Sequence, residues 1–330
     1  MKALRGTPKH LSRAGQLDGF TYLMINLPFE CNYRCSKCFN IEENKAVVSE
    51  DFISVEEMFG VIREAREMNG KVAVVAGEGE PSLNKIIRRI VSQINSVGMI
   101  PIIYSNGFAL TPDLIEFYRD NNASLVISFD SLNSEVYNKL TGTKRQLGKV
   151  VENIRRATDA YSRTIETVGD VKLVRIAINT TVTSLNEGEI SAIRDFFGDD
   201  IYFICNPLAK LGNGARNWTD LIASDSDYER HKHLVVELSE SGGPLTLGSD
   251  GLCGYSAWGI GISPGGDYMT CAYTRKTDGL LGNVKNRSLR DAFEYKHAME
   301  SRHHKSNGPV PCLVRSPRFD DYLKELAVLT

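Results

Sequence analysis

Short apolar segments alternate with amphipathic helical patterns between residues 20 and 205, and this alternation limits the chain to few folds. The predicted strands span Phe20–Leu27, Lys71–Gly77, Met99–Ser105, Ser124–Asp130, Val171–Thr181 and Asp200–Cys205. The predicted helices between them span Ser54–Asn69, Leu83–Val97, Thr111–Asn121, Gly148–Arg163 and Glu187–Phe197. Most of the strands are apolar on both faces, as buried parallel strands are. The pattern therefore predicts an α/β fold, a partial (β/α)6 TIM-like barrel that is too short to close.

After Cys205 the alternation of strands and helices stops, and turn-forming residues become more frequent. Leu211–Asn217 is rich in Gly and Asn and is predicted to be a loop, and a turn is predicted at Pro264–Gly266. We therefore predict three parts: an N-terminal extension over residues 1–19, the barrel over 20–210 and a small cysteine-rich C-terminal domain over 211–330.

Composition excludes several classes of protein. The 330 residues carry a net charge of only -2, which gives no reason to expect a nucleic acid partner. The chain has no apolar run near the roughly 18 residues that a membrane span needs, and its basic N-terminus lacks the apolar core of a secretory signal. We therefore expect a cytoplasmic protein. In that compartment, seven cysteines indicate metal binding or catalysis rather than a disulfide framework.

Three of the cysteines follow the first strand directly. Cys31, Cys35 and Cys38 form a C-x3-C-x2-C segment in the loop at the carboxyl end of that strand, where barrel enzymes build their active sites. Three thiolates this close in sequence can bind three irons of a [4Fe–4S] cluster and leave the fourth iron open. The alternatives are three unrelated buried thiols or a zinc site, although structural zinc usually takes four ligands in two separated pairs.

The triplet resembles the signature of the radical S-adenosylmethionine (SAM) superfamily. This resemblance implies that SAM binds the open iron through its amino and carboxylate groups. It also implies cleavage of SAM to a 5′-deoxyadenosyl radical, which abstracts hydrogen from a substrate, and an electron donor of the flavodoxin or ferredoxin type. Gly79 and Glu80 resemble part of the family's Gly-Gly-Glu-Pro motif, with Glu78 in place of its first glycine.

Polar residues at other strand ends match the family in the same way. The resemblance implies SAM contacts at Asn106, Ser128, Asp130 and Asn179, a cation for the SAM carboxylate at Lys144 or Arg145, and an aromatic cover for adenine at Tyr33 or Phe39. The residue before Cys38 is often aromatic in the family and is Lys37 here. Each polar residue also has a simpler explanation, since Asn-Gly, Asp-Ser and Gly-Glu-Pro are ordinary turn sequences.

The C-terminal cysteines suggest a second cluster. Cys253 and Cys271 flank a predicted β-hairpin that resembles the auxiliary-cluster hairpin of the SPASM and Twitch subgroups, and Cys312 would complete the site. The count suits one auxiliary [4Fe–4S] cluster, whose fourth iron is open, bound by Cys205 or bound by an unidentified group. A zinc site or plain buried cysteines are the alternatives. Cys205 is otherwise either a hydrogen-atom donor to a substrate radical or a small buried apolar residue.

About 20 residues precede the first strand, too few for a peptide-recognition domain, which favours a polar small molecule as substrate. The chain most resembles compact enzymes with one auxiliary cluster, such as 2-deoxy-scyllo-inosamine dehydrogenases and aminoglycoside epimerases. We expect an oxidoreductase or epimerase that acts on a sugar-like molecule or an aminocyclitol in natural-product or antibiotic biosynthesis. The alternatives are epimerisation, cross-linking or oxidation of a peptide or protein, decarboxylation or elimination of a sugar nucleoside, and a non-catalytic or zinc-binding α/β protein.

Overall fold

The computed structural model describes residues 1–28, 30–40, 52–240, 254–271, 280–307 and 319–327. The strands are β1 Lys2–Leu4, β2 Tyr22–Leu27, β3 Val72–Gly77, β4 Ile100–Ser105, β5 Ser124–Ser128, β6 Glu166–Val168, β7 Val171–Val174, β8 Ile176–Val182, β9 Tyr202–Pro207, β10 Gly259–Ile262 and β11 Tyr268–Met269. The helices are α1 Pro8–Arg13, α2 Val55–Glu67, α3 Ile87–Ser96, α4 Pro112–Asp120, α5 Ser134–Thr141, α6 Leu147–Tyr161, α7 Ile190–Phe197, α8 Gly212–Arg216, α9 Trp218–Leu221, α10 Asp225–Leu238, α11 Gly254–Ala257, α12 Leu289–Asn307 and α13 Phe319–Ala327. In the part of the chain described, no helix is long and apolar enough to cross a bilayer.

The central sheet has eight strands in the order β11-β10-β2-β3-β4-β5-β8-β9. All neighbours pair in parallel except β10 and β11, which form an antiparallel hairpin. Strands β2, β3, β4, β5, β8 and β9 are the six of the predicted partial barrel, so this fold prediction is confirmed. β10 extends the same sheet beyond β2, with Gly259 opposite Tyr22.

Local sequence signals explain several of the helix boundaries. α2 begins with a capping box, in which Ser54 accepts a hydrogen bond from Glu57 N and the Glu57 carboxylate accepts one from Ser54 N. α4 begins with Thr111 as N-cap and Pro112 at the first helical position. α5 ends at Gly142, which has a left-handed φ of 65°.

Two predictions of local structure were wrong. The single strand over Val171–Thr181 is two strands, β7 and β8, separated at Arg175. β7 pairs in parallel with β1 and antiparallel with β6, and the three strands form a separate sheet. Leu211–Asn217, predicted to be a loop, contains the short helix α8. The helix α5 was not predicted.

Apolar residues form separate clusters on the two faces of the sheet. The outer face packs on the helices, and its cluster includes Leu23, Val75 and Phe203. The inner face forms the barrel interior, where Met24, Val74 and Ile204 pack with Leu4 and Leu11 of the N-terminal segment. This segment closes one end of the barrel, and the hydroxyl of Tyr22 donates to Gly6 O at 3.0 Å.

Candidate active site in the mouth of the partial barrel

A cavity of about 310 Å³ opens at the carboxyl ends of the barrel strands. All three cysteines of the triplet line it, and so do six of the predicted SAM contacts. These six are Tyr33, Phe39, Gly79, Asn106, Ser128 and Asn179. Glu80 and Asp130 line it too, as buried carboxyl groups. The parallel sheet brings these distant residues together because its strands all end at one edge.

Main-chain bonds to the end of α5 hold one side of the cysteine loop, residues 31–38. Arg34 N donates to Thr141 O at 3.0 Å, and Ser36 N donates to Leu140 O at 2.9 Å. A Cβ at Gly142 would lie 2.4 Å from Arg34 O, so this close approach requires glycine.

The segment Gly212–Asn217 holds the other side of the cysteine loop. The Asn217 side-chain amide donates to Ser36 O at 2.9 Å, and that of Asn213 donates to Cys35 O at 3.2 Å. Gly214 N donates to Cys38 O at 3.2 Å. The Gly/Asn composition that suggested a loop therefore supplies the amides and close approach that this contact needs.

Glu80 connects the ends of β3 and β4. Its carboxylate accepts hydrogen bonds from Ser82 N at 3.0 Å, Ser105 Oγ at 2.7 Å and Asn106 N at 2.6 Å. Burial raises the pKa of Glu80, and these hydrogen bonds oppose that rise. Asn106 in turn donates to the Asn32 side chain at 2.8 Å, which extends the network to the cysteine loop.

Lys37 crosses the mouth of the cavity to the ends of β5 and β8. Its Nζ lies 2.8 Å from Asp130 Oδ1 and donates to Thr181 Oγ1 at 3.0 Å. Thr181 N also donates to Asp130 Oδ1, at 2.9 Å. The sequence did not predict Lys37 and Thr181 as cavity residues, because both partners of Lys37 lie far from it along the chain.

The wall between β8 and β9 is built from side-chain amides. Asn206 donates to Asn179 Oδ1 at 2.7 Å, and both residues line the cavity. Ser128, on the neighbouring strand β5, also faces the cavity. These groups offer hydroxyl and amide partners to a polar ligand, and Asn206 was not predicted.

The inner end of the cavity is lined by aromatic residues and by the N-terminal segment. Tyr104, Tyr202 and Tyr255 line it together with Thr7 and Lys9. Tyr202 is fully buried, and its hydroxyl has no hydrogen-bond partner within the described ranges. Burial raises the pKa of Tyr202, so the phenol is neutral. Single tyrosines and a short N-terminal helix carry no signal in sequence, and these residues were also missed.

Arg145 does not reach the cavity. It is exposed, has a left-handed φ of 57° and is not among the lining residues, and Lys144 beside it is also exposed. The prediction that one of them is the cation for the SAM carboxylate does not fit this placement. The basic residues that line the cavity are Lys9, Arg34 and Lys37.

A sequence model of the radical SAM superfamily matches residues 25–195, which include the cysteine loop and most of the barrel. The chain belongs to the radical SAM superfamily. Its cofactors are therefore a [4Fe–4S] cluster and SAM.

Curated relatives share parts of this sequence. The chain is 24% identical over 219 residues to an S-adenosylmethionine-dependent nucleotide dehydratase from Flammeovirga pacifica, which covers 63% of this chain and 72% of the relative. It is 26% identical over 150 residues to a GTP 3′,8-cyclase from Actinobacillus pleuropneumoniae, which covers 44% of this chain. That match spans only 43% of the cyclase.

Solved structures share the fold. SuiB from Streptococcus suis, bound to the precursor peptide SuiA, matches with a TM-score of 0.62 and 15% identity over 86% of this chain and 67% of SuiB. The enzyme anSMEcpe with bound AdoMet matches with a TM-score of 0.64 and 17% identity over 88% of this chain and 81% of that chain. At these identities the likeness concerns the fold alone.

The cysteine loop suits a radical SAM cluster. Cys31, Cys35 and Cys38 are partly buried and face one cavity, and Tyr33 N donates to Cys31 Sγ at 3.4 Å. Burial raises the pKa of the Cys35 thiol, while the positive charge of Lys37 lowers it. Among the described side chains, no three His, Cys, Asp or Glu converge on a single-ion site. Three cysteines within eight residues suit three irons of a cluster, whereas structural zinc usually takes four ligands in two separated pairs.

Cys205 lies on the opposite face of β9 from the cavity. It is fully buried in the outer apolar cluster, where its backbone N–H donates to Ser239 Oγ at 3.1 Å. Ile204 and Asn206, its neighbours in the strand, line the cavity instead. This placement does not fit a hydrogen-atom donor and fits a small buried apolar residue.

The auxiliary-cluster prediction concerns residues that the structure describes only in part. Cys271 follows β11 and is buried, outside the cavity lining. Cys253 and Cys312 lie outside the described residues. His303 near the C-terminus is buried, and its Nδ1 lies 3.0 Å from Glu325 Oε1.

Proposed function

We propose that this radical SAM enzyme is an oxidoreductase that abstracts a hydrogen atom from a polar, sugar-like small molecule and dehydrogenates it. The observation that carries the proposal is that one cavity joins the cysteine loop to an interior wall of amides, hydroxyls and tyrosines. When bound, the cluster and SAM supply a carbon radical that takes the hydrogen atom.

The chain's own residues would bind the substrate and exclude water. Asn179, Asn206 and Ser128 offer donors and acceptors of the kind that match substrate hydroxyl groups. Tyr202 lines the inner end of the cavity and adds an aromatic ring to its wall. The N-terminal segment blocks that end of the barrel, which keeps bulk water from the reacting carbon.

Placement of Cys205 favours dehydrogenation over epimerisation. Epimerisation needs a hydrogen-atom donor beside the substrate, and the only thiols on the cavity wall within the described chain are those of the cysteine loop. Dehydrogenation instead removes a proton and an electron from the substrate after the hydrogen atom. The electron acceptor would be an iron–sulfur cluster held by Cys271 with Cys253 and Cys312, and a flavodoxin or ferredoxin would supply the electron that starts the reaction.

A second candidate is the elimination of water from a nucleotide. The relative from Flammeovirga pacifica, which is named a nucleotide dehydratase, aligns over 219 residues of the present chain and favours it. Loss of hydroxide after hydrogen abstraction leaves a radical that must gain one electron, so elimination would call for an electron donor of the flavodoxin or ferredoxin type rather than an electron-accepting second cluster. Peptide modification has weaker support, since the peptide-binding neighbour SuiB is similar in fold alone.

Product analysis separates these candidates. The anaerobically reconstituted enzyme is incubated with SAM, dithionite and aminocyclitols, amino sugars, nucleoside triphosphates or short peptides. Formation of 5′-deoxyadenosine identifies the accepted class, and mass spectrometry identifies the reaction. Loss of two hydrogen atoms from a sugar-like substrate supports dehydrogenation. Loss of water from a nucleotide supports the second candidate, and turnover of peptides alone contradicts both. The Cys31→Ala variant, which should lack the cluster, is the negative control.

A further inference from the structure

We infer that Lys37 and Asp130 form a compensated charge pair beside the iron–sulfur cluster and that their charges shift its reduction potential in opposite directions. This inference rests on the proposed binding of the cluster by Cys31, Cys35 and Cys38.

Geometry places this pair against the cluster site. Lys37 lies between two of the cysteines in sequence, and its Nζ is 2.8 Å from Asp130 Oδ1. Both residues line the cavity that the three cysteines line. The side chains are only 11% and 4% exposed, so water screens their charges weakly.

Hydrogen bonds fix both members of the pair. Thr181 accepts from Lys37 Nζ through its hydroxyl and donates to Asp130 Oδ1 through its backbone N–H. The ammonium therefore cannot turn into solvent without giving up two partners. A long flexible side chain becomes a fixed charge within the cavity wall.

A charge fixed near a cluster alters the cost of adding an electron to it. A positive charge stabilises the reduced cluster, which carries one more negative charge, and a negative charge stabilises the oxidised cluster. In the native pair the two effects largely cancel. Removing one partner exposes the effect of the other.

Two neutralising variants should therefore shift the potential with opposite signs. Asp130→Asn leaves the Lys37 ammonium uncompensated, and we expect a more positive potential than in the unmodified protein. Lys37→Met leaves the Asp130 carboxylate uncompensated, and we expect a more negative potential. The double variant Lys37→Met/Asp130→Asn should return close to the unmodified value. Lys37→Arg retains the charge and should shift the potential less than Lys37→Met.

The test is a redox titration of the anaerobically reconstituted full chain without SAM, followed by electron paramagnetic resonance at mildly alkaline pH. Lys144→Met, which removes an exposed lysine outside the cavity, is the matched control and should leave the potential unchanged. Iron content is measured for every variant.

Shifts of opposite sign, reversed in the double variant, support the inference. Shifts of the same sign, or no shift in variants that hold a full complement of iron, overturn it. Loss of iron from both single variants and from the double variant also overturns it, since the pair would then be structural. If the unmodified chain itself binds no cluster, the proposed function fails instead, so the two failures are distinguishable.

Discussion

The three cysteines of the cysteine loop and the single Cys205 lie at the same edge of this sheet and have opposite surroundings. Cys31, Cys35 and Cys38 face the cavity in the loop after β2. Cys205, near the end of β9, is buried among apolar side chains on the outer face. Successive residues of a strand point to opposite faces, so Ile204 and Asn206 take the cavity side. Proximity to a strand end therefore places a residue near an active site, and its position in the alternation decides whether it enters.

The largest effect is expected from removing a cysteine of the cysteine loop. Cys31→Ala should abolish cluster binding, because only two protein sulfurs remain in the loop. We expect 5′-deoxyadenosine formation to fall by more than about 100-fold, since removal of a group that only hydrogen-bonds to a metal ligand can already cost up to that much. Iron and sulfide analysis and a SAM cleavage assay measure both effects. A variant that retains full cleavage activity would show that the cluster is bound elsewhere.

The cavity-facing residues were predictable where strand ends carried them. Gly79, Glu80, Asn106, Ser128, Asp130 and Asn179 all line the cavity, since the carboxyl ends of parallel strands meet at one edge. This argument needs only strand order along the chain and apolar runs that mark each strand. The barrel strands themselves were predictable because each of them is a short apolar run.

The remaining cavity residues depend on tertiary contacts that local sequence does not encode. The pairing of Lys37 with Asp130 joins a loop to a strand far along the chain. Closure of the barrel by Leu4 and Leu11 rests on two ordinary leucines. Arg145 shows the converse case, because it follows β5 closely along the chain, yet it is exposed and is not among the residues that line the cavity.

A second test asks whether Glu80 supports the cavity-facing cysteines through the strand ends. Glu80→Gln removes one acceptor oxygen and turns an amide toward Ser82 N, Ser105 Oγ or Asn106 N. Hydrogen bonds to a charged group contribute about 1.5–3 kcal/mol, so we expect a loss of stability of about 2 kcal/mol. SAM binding should weaken about 10-fold. Thermal unfolding and equilibrium SAM binding to the reconstituted enzyme measure the two losses.

Unchanged SAM affinity in a destabilised Glu80→Gln variant would contradict this assignment. It would mean that Glu80 supports the fold without shaping the site. Glu116→Gln, on α4 and away from the cavity lining, is a suitable control for the chemical change itself.

A smaller effect is expected from the side-chain contacts that hold the cysteine loop. Asn217→Ala removes the hydrogen bond to Ser36 O, which costs about 1 kcal/mol, whereas the main-chain bonds to α5 remain. We expect the cluster to form but to bleach several-fold faster in air. Loss of absorbance over time measures this rate. Thr219→Ala, at an exposed site on the adjacent helix α9, should bleach at the unmodified rate. Equal rates in both variants would show that the Asn217 amide does not help to hold the loop, leaving the bonds of Asn213, Gly214 and α5 to do so.

The smallest effect should come from Cys205, whose surroundings differ most from those of the loop cysteines. Burial raises the pKa of its thiol to about 12, so the reactive thiolate is scarce near neutral pH. Native Cys205 should therefore resist iodoacetamide at mildly alkaline pH and react only after unfolding, as mass spectrometry of its peptide would reveal.

Cys205→Ala removes one buried sulfur and should cost about 1 kcal/mol of stability. It should retain the cluster and turnover within about 2-fold, since the thiol lies on the far side of β9 from the cavity. Loss of turnover with intact iron and an unchanged melting temperature would mean that this thiol reaches the substrate, and the distinction drawn from strand alternation would fail.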